Sequence, residues 1–195
     1  ARALSADGRY TVFASDASNL VAGDTNGVRD IFLFDSQTSL VRRLNLSQQG
    51  VQATAPSEHP TLSGNGRQAA FASDAANLVI GDVNGFTDLF AVDTLTGAIA
   101  LQTLAADGTQ ANGSSFRPML SHTGRFLAFE STATNLVAGG TAPGVSHVYL
   151  RDRDVSGSGT FDTAGNVSTV LISQSTGGAQ GGGNSVQAAV SADGG

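Results

Sequence analysis

The sequence predicts an all-β protein built from repeated four-stranded antiparallel units, and three observations support this fold class. The stretch Leu4–Asp35 returns as Leu62–Asp93 and again, with more changes, as Leu120–Asp152. The three starts lie 58 residues apart, and self-similarity at a fixed period is the signature of a repeat architecture. The 16 acidic residues include 14 Asp and all ten basic residues are Arg, a bias away from surface helices and towards turns. No segment shows sustained helical periodicity.

Each repeat opens with a predicted hairpin. Its short first strand ends in Leu-Ser, and it is followed by the dipeptides Asp7-Gly8, Asn65-Gly66 and Thr123-Gly124. The first two dipeptides are strong hairpin signals, because a two-residue type I′ turn needs positive φ at both central residues. The second strand is apolar and aromatic, and it is predicted at residues 10–14, 68–72 and 126–130.

Two further strands complete each repeat after a longer loop. The third strand is predicted at residues 30–34, 88–92 and 147–151, and the fourth near residues 40–46, 98–104 and 168–173. Aromatic residues recur at matching positions of the second and third strands, which indicates packing in a core rather than a ligand site. They are Phe13, Phe71 and Phe129, and Phe32, Phe90 and Tyr149.

Four short strands per repeat, stacked side by side, indicate the blades of a β-propeller. The pattern Ser-x-Asp-Gly-Arg-x-x-x-Phe-x-Ser from Ser5, followed by Asp-Ile-Phe-x-x-Asp from Asp30, resembles the TolB-type propeller repeat, a relative of the WD-type propellers. The resemblance covers all three repeats, with an insertion between the second and third strands at residues 19–27 and their counterparts. It implies blades that serve as scaffolds, docking surfaces or substrate filters.

The repeats predict three four-stranded blades, at residues 1–61, 62–119 and 120–189, and the start of a further blade at 190–195. A closed propeller ring needs about four to eight blades. We therefore expect the chain to be part of a larger ring, completed by further blades of the same chain or by another copy.

Composition narrows the possible partners. A net charge of −6 without a Lys/Arg cluster argues against nucleic acid. The chain has no cysteine, which excludes disulfides and thiolate metal sites, and no apolar run approaches the ~18 residues of a membrane-spanning helix. The expected partner is a protein, or additional blades, rather than a small-molecule substrate.

The inserted loop is the best candidate for a metal site. Its possible ligands are Asp24, Asn26 and Asp30 in the first repeat and Asp82, Asn84 and Asp88 in the second. These oxygen side chains, with a glycine that permits a sharp bend, can converge on one Ca²⁺ together with backbone carbonyls. The alternative is that they cap a turn and bind nothing. The third repeat has Gly140, Ala142 and His147 at these positions, so we expect no ion there.

A second candidate lies in the longer third repeat. Oxygen side chains stand at positions 1, 3, 5 and 9 from Asp154, namely Asp154, Ser156, Ser158 and Asp162. The segment resembles the Asp-x-Asp-x-Asp-Gly-x-x-Asp calcium loops of several propeller proteins. The two serines replace charged ligands, which weakens the affinity for Ca²⁺, and the bidentate Glu of an EF-hand is absent. The alternative is a polar hairpin loop without metal.

Catalysis has little support in the sequence. The histidines His59, His122 and His147 are scattered, and neither a Gly-x-Ser-x-Gly elbow nor a cysteine nucleophile is present. We therefore predict a non-enzymatic scaffold or protein-interaction module, extracellular, at the cell surface or periplasmic, and stabilised by Ca²⁺. The alternative is a propeller that gates the catalytic domain of a larger prolyl-oligopeptidase-like hydrolase. A glycan-binding propeller ranks lower, because the chain has no Trp and two Tyr for sugar stacking.

Overall fold

The structure is a computed structural model that describes residues 3–194. Ala1, Arg2 and Gly195, which the sequence assigned to the first and the last unit, lie outside the described residues. Within residues 3–194 the chain forms three antiparallel sheets and no helix, so no helix of this part of the chain is long and apolar enough to cross a membrane. The predicted all-β class is confirmed.

The strands of each sheet follow one another in chain order. The first sheet contains β1 (Tyr10–Ser15), β2 (Asp30–Asp35) and β3 (Leu40–Arg43). The second contains β4 (Ser57–Leu62), β5 (Gln68–Ser73), β6 (Asp88–Asp93) and β7 (Ile99–Leu101). The third contains β8 (Ser115–Leu120), β9 (Phe126–Ser131), β10 (His147–Asp152) and β11 (Ser168–Leu171).

Two sheets have the predicted four strands, and the first sheet has three strands in the described residues. There, a single bridge between Leu4 and Thr11 stands where the other sheets have their first strand. The full sheets begin at Ser57 and Ser115, ahead of the Leu-Ser pairs that open the repeats in the sequence. The predicted boundaries at residues 61, 119 and 189 therefore describe the sequence repeats and stay a prediction. The second and third sheets begin a few residues before these repeats do.

The hairpin between the first two strands is present, but the predicted type I′ turn is wrong. Among the described residues around this turn only Gly8 has positive φ, at 74°, whereas a type I′ turn requires two such residues. Gly8 N donates to Ser5 O at 3.0 Å, and Ser5 N donates to Tyr10 O at 2.9 Å. The Ser5 hydroxyl accepts from Tyr10 N and donates to Asp7, so side-chain hydrogen bonds stabilise a longer connection.

The second sheet lies between the other two and contributes to two hydrophobic cores. One face, with Phe71 and Phe90, packs against the first sheet, and the opposite face, with Ala70 and Leu89, packs against the third. All six residues of β5 are buried. Phe71 and Phe90 stack at 5.9 Å between ring centroids, as the recurrence of aromatic residues in the sequence predicts.

The same backbone hydrogen bond joins the first sheet to the second, the second to the third, and the third to the segment that follows it. Its donors are Ser57, Ser115 and Ser185, and its acceptors are Arg29, Thr87 and Ser146, at 2.9, 2.8 and 2.8 Å. Two residues after each donor the chain has positive φ, at His59, Arg117 and Gln187. In β4 and β8 this residue lies in a β-bulge. Residues 185–190 therefore lie against the third sheet as the first strands of the second and third sheets lie against their predecessors.

Candidate functional site

The inserted loops connect β1 with β2, β5 with β6 and β9 with β10. A glutamine from the following connection supports each of them. Gln52, Gln110 and Gln180 accept from loop backbone amides, including those of Asn26, Val83 and Ala142, at 3.2, 3.1 and 2.9 Å. The side-chain amides of the same glutamines donate back to their loops. Because the three loops are held in the same way, their side chains can be compared position by position.

In the first loop the predicted ligands surround an arginine. Arg43, on β3, contacts Asp24 at 3.1 Å and Asp30 at 3.4 Å, and its side chain is 5% exposed. Asp30 also accepts from Asn45 at 2.7 Å and from Asn26 at 3.1 Å. The guanidinium of Arg43 therefore neutralises the two buried carboxylates at the place where a bound cation would have to lie.

In the second loop no arginine is present, because Leu101 occupies the position on β7 that Arg43 has on β3. Asp88 is 0% exposed and Asp82 is 8% exposed. The Thr103 hydroxyl donates to Oδ1 of Asp88, whereas Oδ2 of Asp88 is buried and has no hydrogen-bond partner. The two carboxylates are thus buried as in the first loop, but without the cation.

The electrostatics of the second loop reflect this difference. Burial raises the pKa of Asp88 to about 6, against the opposing hydrogen bonds from Thr103 and Asn84, and the charge of Asp82 raises it further. Burial also raises the pKa of Asp82. Asn84 itself donates to Ala111 O at 3.1 Å, which holds the loop against the next connection.

In the third loop both the acids and the arginine have been replaced. His147 takes the position of Asp88, and its Nδ1 lies 3.0 Å from the Ser173 hydroxyl. Leu171 on β11 stands at the position of Arg43. The third loop therefore offers no carboxylate at Gly140, Ala142 or His147.

The Asp154 loop is closed on itself. Asp154 is 1% exposed and accepts from Ser156 Oγ, Ser158 N and Oγ, Gly159 N and Asn166 Nδ2, at 2.6–3.1 Å. Desolvation acts against ionisation most strongly, but these hydrogen bonds together hold the pKa of Asp154 well below its usual range. Asp162, the fourth predicted ligand, instead pairs with Arg153 at 2.6 Å. The structure thus brings Asp154, Ser156 and Ser158 together and directs Asp162 to Arg153.

Within residues 3–194, no group of three or more His, Asp or Glu side chains is arranged to hold a metal ion. Any ion bound by the inserted loops would therefore also need amide and backbone oxygens. Sequence reasoning identified the acids of both loops but missed Arg43. The 58-residue spacing contained the signal, since it aligns Arg43 with Leu101 and Asn45 with Thr103.

The third sheet has an apolar outer face, which we call the end face. Its residues are Ala128, Val148, Leu150, Val170 and Ile172. The corresponding residues Ala70, Leu89 and Ala91 of the second sheet, and Val12, Ile31 and Leu33 of the first, are at most 2% exposed, because the following sheet covers them. On the end face Ala128 and Val148 are 4% and 9% exposed, and residues 188–191 line the same groove. Ile172 is 49% exposed, whereas Leu44 and Gln102 at its position in the other sheets are 4% and 0% exposed.

No family model and no curated protein matches this sequence. Solved structures do show its fold. The putative TolB from Agrobacterium tumefaciens is 20% identical with a TM-score of 0.51, over 86% of this chain and 47% of that one. The tricorn protease is 16% identical with a TM-score of 0.51, over 87% of this chain and 16% of that one. The chain spans about half the length of that TolB structure and has its β-propeller fold, so the predicted propeller is confirmed.

Proposed function

We propose that this chain is a non-enzymatic β-propeller module that acts as a scaffold or protein-interaction platform outside the cytoplasm, completed at its end face by another blade. The observation that carries the proposal is the placement of residues 185–194 on the third sheet. Ser185 makes the inter-sheet bond described above, and His122 N donates to Ala192 O at 2.9 Å. Ala6 N donates to Gly64 O in the same way between the first two sheets, at 2.7 Å.

The chemistry of the end face supports a blade as its occupant. The face is apolar, and at Ala128, Val148 and Leu150 it matches the residues by which the first two sheets pack against their successors. Burying such a surface is favourable in proportion to its apolar area, at about 25 cal/mol per Å². A sheet of the same repeat, from the same protein or from a second copy, offers both the complementary face and the backbone partners.

The location and the role of Ca²⁺ belong to the proposal. An extracellular or periplasmic location fits the aspartate-rich inserted loops, because calcium sites of extracellular modules function at weak affinity. The TolB and tricorn likenesses concern the fold, and the hydrolase alternative differs in requiring a catalytic domain elsewhere in the protein. A hydrolase domain joined to these blades in the longer protein would replace the scaffold proposal with that alternative.

The blade-completion part is tested by the oligomeric state of the chain. We expect concentration-dependent self-association in light scattering coupled to size exclusion, because association buries the apolar end face under a second sheet. Ile172→Asp should make the chain monomeric. The matched control is Ile80→Asp, since Ile80 is 80% exposed on an inserted loop and away from the end face. A monomer at all concentrations, or equal effects of the two substitutions, would contradict the proposal.

A further inference from the structure

We propose that the second inserted loop binds one Ca²⁺ between Asp82 and Asp88, with backbone oxygens of the loop as further ligands, at the position that the guanidinium of Arg43 occupies in the first loop. The inference deepens the calcium part of the proposed function and rests on it. It restricts the ion to one of the predicted loops, whereas blade completion at the end face does not depend on it.

The first argument is an unsatisfied carboxylate oxygen. Asp88 is fully buried, and its Oδ2 has no hydrogen-bond partner. A buried charged group without a partner is costly, and proteins normally pair such a group or let it coordinate a metal. Asp82 is 8% exposed and stands at the repeat position of Asp24, which with Asp30 flanks the guanidinium of Arg43 in the first loop.

The second argument comes from comparing the three repeats. The first has Asp24 and Asp30 with Arg43 between them, and the third lacks both the acids and the arginine. In these two repeats the charges of the loop are balanced or absent. The second repeat retains the acids and has lost the arginine, so it alone of the three needs a cation from outside.

The third argument concerns the kind of cation. Two carboxylates carry two negative charges, which a divalent ion neutralises. The available ligands are oxygens of the two carboxylates and of the loop backbone, because the Asn84 oxygen accepts from Phe86 N at 3.1 Å. No thiolate ligand exists because the chain has no cysteine. Ca²⁺ accepts six to eight such oxygens in flexible geometry, whereas Mg²⁺ demands a near-ideal octahedron. A loop with two carboxylates and several carbonyls therefore suits Ca²⁺.

The experiment is a calorimetric titration with CaCl₂ at pH 7.5, together with thermal unfolding in CaCl₂ and in EGTA. We expect one ion per chain and a rise in Tm of roughly 5 °C near 100 Kd. Asp82→Asn should abolish both. Leu101→Arg, which places an arginine in the second repeat where the first repeat has Arg43, should also abolish binding and should raise Tm in EGTA.

Two matched variants sharpen the test. Asp24→Asn should leave binding by the second loop unchanged, and Arg43→Leu should raise the stoichiometry from one ion to two. The absence of any Ca²⁺ effect, an unchanged response of Asp82→Asn, or loss of binding in Asp154→Asn would overturn the inference. An equal response to MgCl₂ would overturn the assignment to calcium. The association experiment is run in EGTA, so its result separates failure of the scaffold proposal from failure of the ion site.

Discussion

A single side chain decides how a buried pair of acids is tolerated in this protein. Arg43 contacts both Asp24 and Asp30 from β3, and the three side chains are each at most 5% exposed. Removing one partner of such a buried set leaves an uncompensated charge, which typically costs about 3–5 kcal/mol. In the second repeat Leu101 stands in place of that partner, and burial raises the pKa of Asp88 to about 6.

Asp152 should make stability depend on acid pH. Its bidentate pairing with Arg125, at 2.8 and 2.7 Å, is the main reason why its pKa is lowered from 3.8. The unfolded chain therefore binds the proton more readily, so this stability is present above about pH 4 and is lost as pH falls towards the folded-state pKa. The urea midpoint of the native protein should exceed that of Asp152→Asn at pH 7 and approach it at pH 3. A constant gap between pH 7 and pH 3 would contradict this assignment.

At the scale of elements, aromatic residues at equivalent positions of different sheets differ in how far a neighbouring sheet covers them. Phe71 on β5 is 0% exposed, whereas Phe13, at the same repeat position on β1, is only partly buried. Phe71→Ala should lower the free energy of unfolding by about 3–5 kcal/mol, because it leaves a cavity in a closed core. Phe13→Ala should cost about 1–2 kcal/mol. Denaturant unfolding of the two variants makes the comparison, and equal losses would mean that β1 is covered in solution.

Most of the elements were predictable because repetition confirms each pattern three times. The second and third strands were located to within one residue at each end, since their apolar and aromatic residues recur at a spacing of 58 or 59 residues. The first strands were harder to place, because β4 and β8 contain a bulge and a proline that interrupt the alternation. The turn type was mispredicted because the Ser5 hydroxyl, which a dipeptide rule ignores, sets its hydrogen bonds.

The sequence was enough to predict the acidic residues of the candidate site, but not which residues neutralise their charge. Spacing and residue type locate Asp24, Asp82 and Asp88. The residue that faces these acids comes from another strand, and the register of strand pairing decides which residue it is. The Asp154 loop shows the same limit. Its pattern matches a calcium loop, and only the structure shows backbone and side-chain donors at Oδ1 of Asp154 and the backbone amide of Gly159 at Oδ2.

For the whole molecule, position in the stack should set local stability. The second sheet is covered on both faces, and all six residues of β5 are buried, against one of six in β1. Hydrogen exchange should therefore be slowest in β5 and β6, since opening the middle sheet disrupts two cores, and faster in β1 and β11. Mass spectrometry of exchanged peptides makes this measurement. Uniform protection across the three sheets would indicate that both ends of the stack are covered in solution.

The backbone bond that joins successive sheets has a consequence for ring size. It uses the same repeat position at all three junctions, from Ser57, Ser115 and Ser185, and an amide donor is available whatever the side chain. A junction of this kind can form between any two successive repeats, so no single interface determines the number of blades. In the proposed ring this junction therefore does not fix the number of blades. A gene could therefore lengthen or shorten such a ring by whole repeats without inventing a new contact.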